Sequence, residues 1–293
     1  MAEPRPHPAA FCLSVLLNGA LVTLQLVIGF GFGSLALFGD ALHNLGDVAG
    51  LLLAWGAEGL ARRPPSRRFT YGFGRSTQFA ALANAALVMG AGAIVVLEGV
   101  QRLGRPVALG TTPVALAALA GLVVNLGSAR LFGGGHHHDL NRRAAVMHLL
   151  SDAALSATVL LSTLLIAITG WTPLDAIVAI GVGGLVVLSG LRVLREAVAG
   201  SLDAVPSTVD LEAVERSLRA IEGVCDVHHL HVWSVSTSRV ALTAHLCRDP
   251  AAVNDAHLLR QAQQQLRDLG VDHATLQLEP ATGIGCDQPV VPR

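Results

Sequence analysis

The sequence predicts an α-helical membrane protein: a six-helix transmembrane bundle followed by a small cytoplasmic α+β domain of order αββαβ. Three observations predict it. Only 14% of the 293 residues are Asp, Glu, Lys or Arg, against about 25% in an ordinary soluble domain. The apolar excess gathers into runs of about 20 residues, the length needed to cross ~30 Å of hydrocarbon as a helix. From about Ser201 the composition turns to that of soluble protein, with strand-like alternation and amphipathic spacing in place of apolar runs.

Six apolar runs can be cut from the first 200 residues, and the polar residues caught inside them carry most of the information. The first, Phe11 to Phe32, has no charge, and no small-residue cleavage site follows it, so it reads as a span and not a removable leader. Gly31, Gly33 and Ser34 make a tight turn into the second, Leu35 to about Leu60, which holds Asp40, His43, Asp47 and Glu58. The third runs from Ser76 to Leu103 with Glu98 near its end, and the fourth from Thr112 to Phe132. The fifth, Ala144 to Thr169, contains His148 and Asp152, and the sixth, Thr172 to about Leu194, opens with Pro173 and Asp175. Asn18, Gln25, Asn125 and Asp175 read as interhelical hydrogen-bonding groups, and Glu58 as a solvated partner for nearby arginines.

Orientation follows from the arginines, since cytoplasmic loops retain basic residues. The second-to-third connection holds Arg62, Arg63, Arg67, Arg68 and Arg75, and the fourth-to-fifth holds Arg130, Arg142 and Arg143. Arg192 and Arg195 follow the sixth run, whereas Arg102 and Arg105 are the basic residues of the other side. Both termini are therefore expected in the cytoplasm, with the chain multi-pass in the cell (inner) membrane. The expected domains are a cytoplasmic tail over 1–10, the six-span transmembrane domain over 11–200, a cytoplasmic α+β domain over 201–280, and a flexible tail over 281–293.

In the cytoplasmic domain Asp210 to Ile221 reads as an amphipathic helix stopped by Gly223. Val224 to Ser236 and Arg239 to Cys247 read as strands joined by a short polar turn. Ala251 to Leu269 is expected as a helix ended by Gly270, and His273 to Glu279 as a third strand. The order places helices on one face of a sheet. A net charge of −1 gives no basicity to argue for nucleic acid as a partner. All of the 20 basic residues are Arg, which we read as codon bias and not as chemistry. Cys12, Cys225, Cys247 and Cys286 contain no Cys-x-x-Cys pair, so thiols in a reducing compartment are expected.

His43 and Asp47 are four apart, as are His148 and Asp152, so each pair stacks on one helix face. Entering from outside at Leu35, the second run carries His43 ~12 Å and Asp47 ~18 Å deep. Entering from inside at Ala144, the fifth run carries His148 ~6 Å and Asp152 ~12 Å deep. In a core ~30 Å thick the two carboxylates reach a common level, and antiparallel helices bring all four side chains together. Ionisable groups at such depth persist when they pair or coordinate. Two imidazoles and two carboxylates form a closed N/O shell suited to a tetrahedral divalent ion, Zn²⁺ or its neighbours Cd²⁺, Co²⁺ and Ni²⁺, and they neutralise its charge. Metal must displace protons from the same atoms, so metal and protons compete. Asp40 shares the face of His43 and reads equally as a ligand or as the partner of one.

These residues carry a resemblance to the zinc-transporting type of the cation diffusion facilitator family. The similarity covers nearly the whole chain: GSLALFGDALHNLGD from Gly33 to Asp47, RRFTYGFGR from Arg67 to Arg75, HLLSD from His148 to Asp152, and His231-Val232-Trp233. The resemblance implies transport ligands at His43, Asp47, His148 and Asp152, and a homodimer exchanging cytoplasmic metal for protons. It also implies a second site in the second-to-third connection of some members, but Ala61 to Arg75 holds no His or Asp, so that site is expected to be absent. For the cytoplasmic domain it implies a regulatory zinc site at His228, His245, His257, Gln277 and Glu279, where Gln277 departs from the His of some members and Cys286 offers a substitute. Taken alone, each of these histidines reads sooner as a surface residue, and the group as a whole reads equally as metal-binding or not. His136, His137, His138 and Asp139 are either a small metal-collecting loop or a plain polar one.

The expected function is Zn²⁺ efflux, with Cd²⁺ or Co²⁺ as further cargo. A membrane metalloenzyme is the first competing reading, but no His-Glu-x-x-His or oxygenase box is present and a catalytic zinc keeps an open position. A metal sensor is the second, and it has no need of ligands inside the bilayer.

Overall fold

The computed structural model describes residues 8–105, 107–133, 140–249 and 254–281. Six long helices come first: α1 (Pro8–Gly31), α2 (Leu35–Ala61), α3 (Ser76–Gly104), α4 (Thr111–Gly133), α5 (Leu140–Thr169) and α6 (Pro173–Ser201). Then follow α7 (Leu211–Arg219), β1 (Val224–Ser236), β2 (Arg239–Arg248), α8 (Asp255–Asp268) and β3 (His273–Pro280). The order is the predicted one, and the ends differ where apolarity and helicity part company. α5 begins at Leu140 and α6 runs on to Ser201, because charged turns continue a helix after the apolar run has stopped. α8 begins at Asp255 and not at Ala251, since Asn254 caps it by accepting from the Ala256 amide at 2.9 Å.

Four helices, α3 to α6, contain stretches long and apolar enough to cross a membrane among the described residues. α2 falls short on composition because it carries Asp40, His43, Asn44, Asp47 and Glu58, the residues that make it informative. Phe30 and Ile168 are each 84% exposed, which suits side chains facing lipid tails and not water.

The chain forms two compact units, one of residues 1–53 and 83–194, the other of 54–82 and 195–293. In the first, Leu35, Leu37, Val95, Val114, Ala117, Ala118, Val159 and Ala179 build a core from α2, α3, α4, α5 and α6. α3 and α6 approach closely where Gly92 meets Gly183: a Cβ on Gly183 would stand 2.8 Å from the Gly92 carbonyl oxygen, and one on Gly92 3.0 Å from that of Gly183. Small residues at a crossing replace the hydrophobic drive that lipid cannot supply. The first amides of α2 are satisfied across helices. Asp175 of α6 accepts from Ser34 Oγ at 2.6 Å, Leu35 N at 2.7 Å and Ala36 N at 3.4 Å, while Ser34 Oγ takes the Leu37 amide at 3.1 Å. A carboxylate at a helix N-terminus also meets the positive end of its dipole. Asp175 and Gln25 thus act as the interhelical hydrogen-bonders that the sequence suggests.

In the second unit, β1 pairs antiparallel with β2, and β2 pairs parallel with β3. Val214 and Leu218 of α7 and Leu258, Ala262 and Leu266 of α8 pack on Val227, Leu230, Val232, Leu242, Ala244 and Leu246. Gly270, at φ +86, ends α8 in the left-handed conformation, with its amide on Arg267 O and that of Val271 on Leu266 O. Arg75 forms an ion pair with Asp203, the Thr237 amide donates to Thr77 Oγ1 at 3.1 Å, and Glu58 pairs with Arg62 at 3.2 Å.

The glycine crossing yields a stability prediction. Gly183→Leu forces α3 from α6 and is expected to destabilise the protein by ~1–3 kcal/mol, seen as a lower melting temperature of the full chain in detergent. An unchanged melting temperature would show that the crossing is not close-packed.

Candidate metal centre

α2 and α5 each put a His and an Asp one turn apart on an inward face. His43 Nε2 lies 3.9 Å from Asp47 Oδ2 and 3.5 Å from Asp152 Oδ1. His148 Nε2 lies 3.3 Å from Asp47 Oδ2 and 3.7 Å from Asp152 Oδ2. The two imidazole centroids are 6.3 Å apart, edge to face. Zinc bonds of ~2.0–2.2 Å place neighbouring ligand atoms of a tetrahedron about 3.3–3.6 Å apart, the range in which the His43–Asp152 and His148–Asp47 separations already fall. Ligand atoms of His43, Asp47 and Asp152 already fall within 4.8 Å of one another. His43 Nδ1 and Asp152 Oδ1 are buried without a hydrogen bond, an unfavourable state for polar atoms.

Exposure is graded across the four residues. The side chains of His148 and Asp47 are 51% and 37% exposed, whereas those of His43 and Asp152 are 15% and 6%. One side of the centre is open and the other closed. The closed side is lined by Asp40, Gln25 and Ser156, each fully buried. Asp40 stands outside the four-residue group: its Oδ2 accepts from Gln25 Nε2 at 3.1 Å and from Ser156 Oγ at 3.0 Å. Sequence reasoning singled out neither Gln25 nor Ser156 as companions of Asp40. Ser156 follows Asp152 by four residues on α5 and Asp40 precedes His43 by three on α2, so each shares a face with a candidate ligand, and this was the available signal.

A second group forms on the cytoplasmic domain sheet. Glu279 of β3 accepts from His245 Nδ1 of β2 at 2.8 Å and lies 3.3 Å from His228 Nε2 of β1, which is almost fully buried. Gln277 donates to Glu279 Oε1 at 2.8 Å and so supports the carboxylate. His257 is not part of this group and sits exposed on α8. His229, which the sequence did not single out, stacks on His245 at 5.1 Å. Simple alternation would place it opposite His228, but β1 is irregular between His228 and His231, and His229 takes φ +49 there. Cys247, with Sγ 3.8 Å from His228 Nδ1, is disulfide-bonded. This corrects the expectation of four thiols and removes a thiolate from the group. His136, His137, His138, Asp139 and Cys286 lie outside the described residues.

The fold is that of a membrane protein built to move metal cations. Residues 11–200 match the cation efflux transmembrane domain, and residues 206–281 match the cation efflux protein cytoplasmic domain. Among relatives, the zinc transporter ZitB of Escherichia coli (strain K12) is 38% identical over 274 residues, covering 92% of this chain and 87% of its own. The metal cation efflux system protein CzcD of Cupriavidus metallidurans is 32% identical over 287 residues, covering 98% and 90%. A cadmium, cobalt and zinc/H(+)-K(+) antiporter of Bacillus subtilis (strain 168) is 30% identical over 269 residues, covering 90% and 86%. The chain belongs to the cation efflux family, the cation diffusion facilitators, which are transporters.

The exposure gradient predicts reactivity. Single cysteines placed at 148, 152 and 40 are expected to react with a water-soluble maleimide in that falling order, followed site by site through peptide masses. Equal labelling at 148 and 40 would contradict a centre open on one side.

Proposed function

We propose that this protein is a divalent metal cation efflux transporter, with Zn²⁺ as principal cargo and Cd²⁺ or Co²⁺ as further cargo, exchanging cytoplasmic metal for external protons at His43, Asp47, His148 and Asp152. The observation that carries the reading is the convergence of the two His-x-x-x-Asp pairs of α2 and α5, with each imidazole 3.3 to 3.9 Å from both carboxylates. The names borne by its relatives support zinc, cadmium and cobalt as cargo and protons as the counter-ion.

The chemistry follows from the donor set. Two carboxylates cancel the charge of a divalent ion, and two imidazoles prefer borderline ions over harder Mg²⁺ or Ca²⁺. His148 and Asp47, the exposed members, receive the ion, and His43 and Asp152 complete its shell. When the centre turns to the proton-rich side, protons on the His nitrogens and Asp oxygens displace the metal. The six-span domain over 11–200 performs this exchange, and the domain over 201–280 joins two copies into a homodimer. With both termini cytoplasmic in the inner membrane, His228, His245 and Glu279 sample cytoplasmic zinc and regulate transport.

Asp47→Ala or Asp152→Ala leaves one carboxylate for a divalent ion, and each is expected to reduce zinc uptake by purified protein in vesicles at least ~100-fold. Uptake near the natural rate in either variant would remove the centre from transport.

Coupling is read by proton release. Since binding displaces protons, affinity is expected to fall as pH falls, and calorimetry in two buffers of different ionisation enthalpy should detect released protons. A double His43→Ala, His148→Ala variant with its cytoplasmic domain intact should release fewer. Identical release from both proteins would place the exchange in the cytoplasmic domain.

A further inference from the structure

We infer that Asp40 is a positioning residue that sets the size selectivity of the transport centre. The inference rests on the ligand assignment proposed above and concerns the layer one turn away from it. Asp40 precedes His43 by three residues on α2, and Ser156 follows Asp152 by four on α5, so each lies directly over a ligand on its own helix. Ser156 Oγ donates to Asp40 Oδ2 at 3.0 Å and ties the two ligand-bearing helices together. Gln25 of α1 donates to the same oxygen at 3.1 Å, and its own carbonyl accepts from Asn44 of α2 at 3.4 Å.

The layer has no slack. Asp40, Gln25 and Ser156 are each fully buried. α4 closes over them at Gly121, where a Cβ would stand 2.7 Å from Gln25 Nε2 and 2.9 Å from Ser156 Oγ. Four helices are thereby held in register at one level. A shell that cannot widen discriminates ions by radius, and Zn²⁺ is smaller than Cd²⁺. Ligands whose supports are removed relax toward the larger ion. Asp40 Oδ1 is buried and makes no hydrogen bond, so the two bonds on Oδ2 account for the polar contacts of this carboxyl within the layer.

The test is uptake of Zn²⁺ and of Cd²⁺ by the purified full chain in vesicles, with KM and maximal rate measured for Asp40→Ala, Asp40→Asn, Ser156→Ala and Asp152→Ala. Asp40→Ala is expected to raise the zinc KM about tenfold and to lower the zinc-over-cadmium ratio of kcat/KM by a similar factor. Ser156→Ala deletes a single hydroxyl, keeps the fold, and should shift the ratio in the same direction. Asp40→Asn keeps an oxygen that accepts both bonds and should restore KM and ratio to within about twofold. The ratio does not depend on how much protein is active, so an unchanged ratio with only a lower maximal rate in both Asp40→Ala and Ser156→Ala would overturn the inference in favour of plain stability. Asp40→Asn as impaired as Asp40→Ala would also overturn it, by making the charge the operative property. Asp152→Ala with an unaltered zinc KM would overturn the ligand assignment itself, and this inference with it.

Discussion

The transmembrane bundle answers to the cost of holding two carboxylates within a helical membrane domain, one of them, Asp152, almost fully buried. Asp47 and Asp152 sit in helices that lipid surrounds, and an unpaired charge there is unfavourable by several kcal/mol. The helices respond by facing both inward against imidazoles at 3.3 to 3.9 Å. Imidazole relieves that cost only in part, because each ring also carries hydrogen-bonding demands of its own. A divalent cation relieves it fully. Protons can relieve the same cost, which is the physical basis of the proposed exchange of metal for protons at one set of atoms.

Much of this was legible in the sequence because it is written in local spacing. His-x-x-x-Asp repeats on α2 and α5 fix which face each residue occupies, and the rise of a helix fixes the depth. The strands β1, β2 and β3 were legible for the same reason, through alternation. What escaped was set by geometry between elements. Nothing near Gln25 states that it meets Asp40 fifteen positions later in the chain, and nothing near Asp175 states that it caps a helix starting at Leu35. His229 escaped because an irregularity in β1 breaks the period on which the reading relied. The disulfide at Cys247 escaped because spacing without a Cys-x-x-Cys pair carries no pairing information.

The bundle also shows how a helix bearing ligands is supported at two heights. Near its start, α2 is anchored by Asp175 of α6; one turn from the metal ligands it is anchored by Gln25 and Ser156. Both anchors use side chains of other helices, joined at the first by Ser34 of the adjoining turn. Between them lies an apolar core in which small residues, Ala36, Ala41, Ala117, Ala118 and Ala179, pack among Leu37, Val95 and Val114. Polar bonds and apolar packing therefore fix the register together.

The uneven exposure of the four ligands has a kinetic meaning. On the proposed ligand assignment, a hydrated ion reaching the more exposed His148 and Asp47 first would keep part of its water until His43 and Asp152 completed the shell. Desolvation is spread over several small exchanges, each trading one water for one protein atom. Ions that release water readily descend this staircase; Mg²⁺, which dehydrates reluctantly and demands six ligands, stalls on the upper steps. Where magnesium far outnumbers zinc, a site of this proposed form would select on the rate of water loss as well as on affinity.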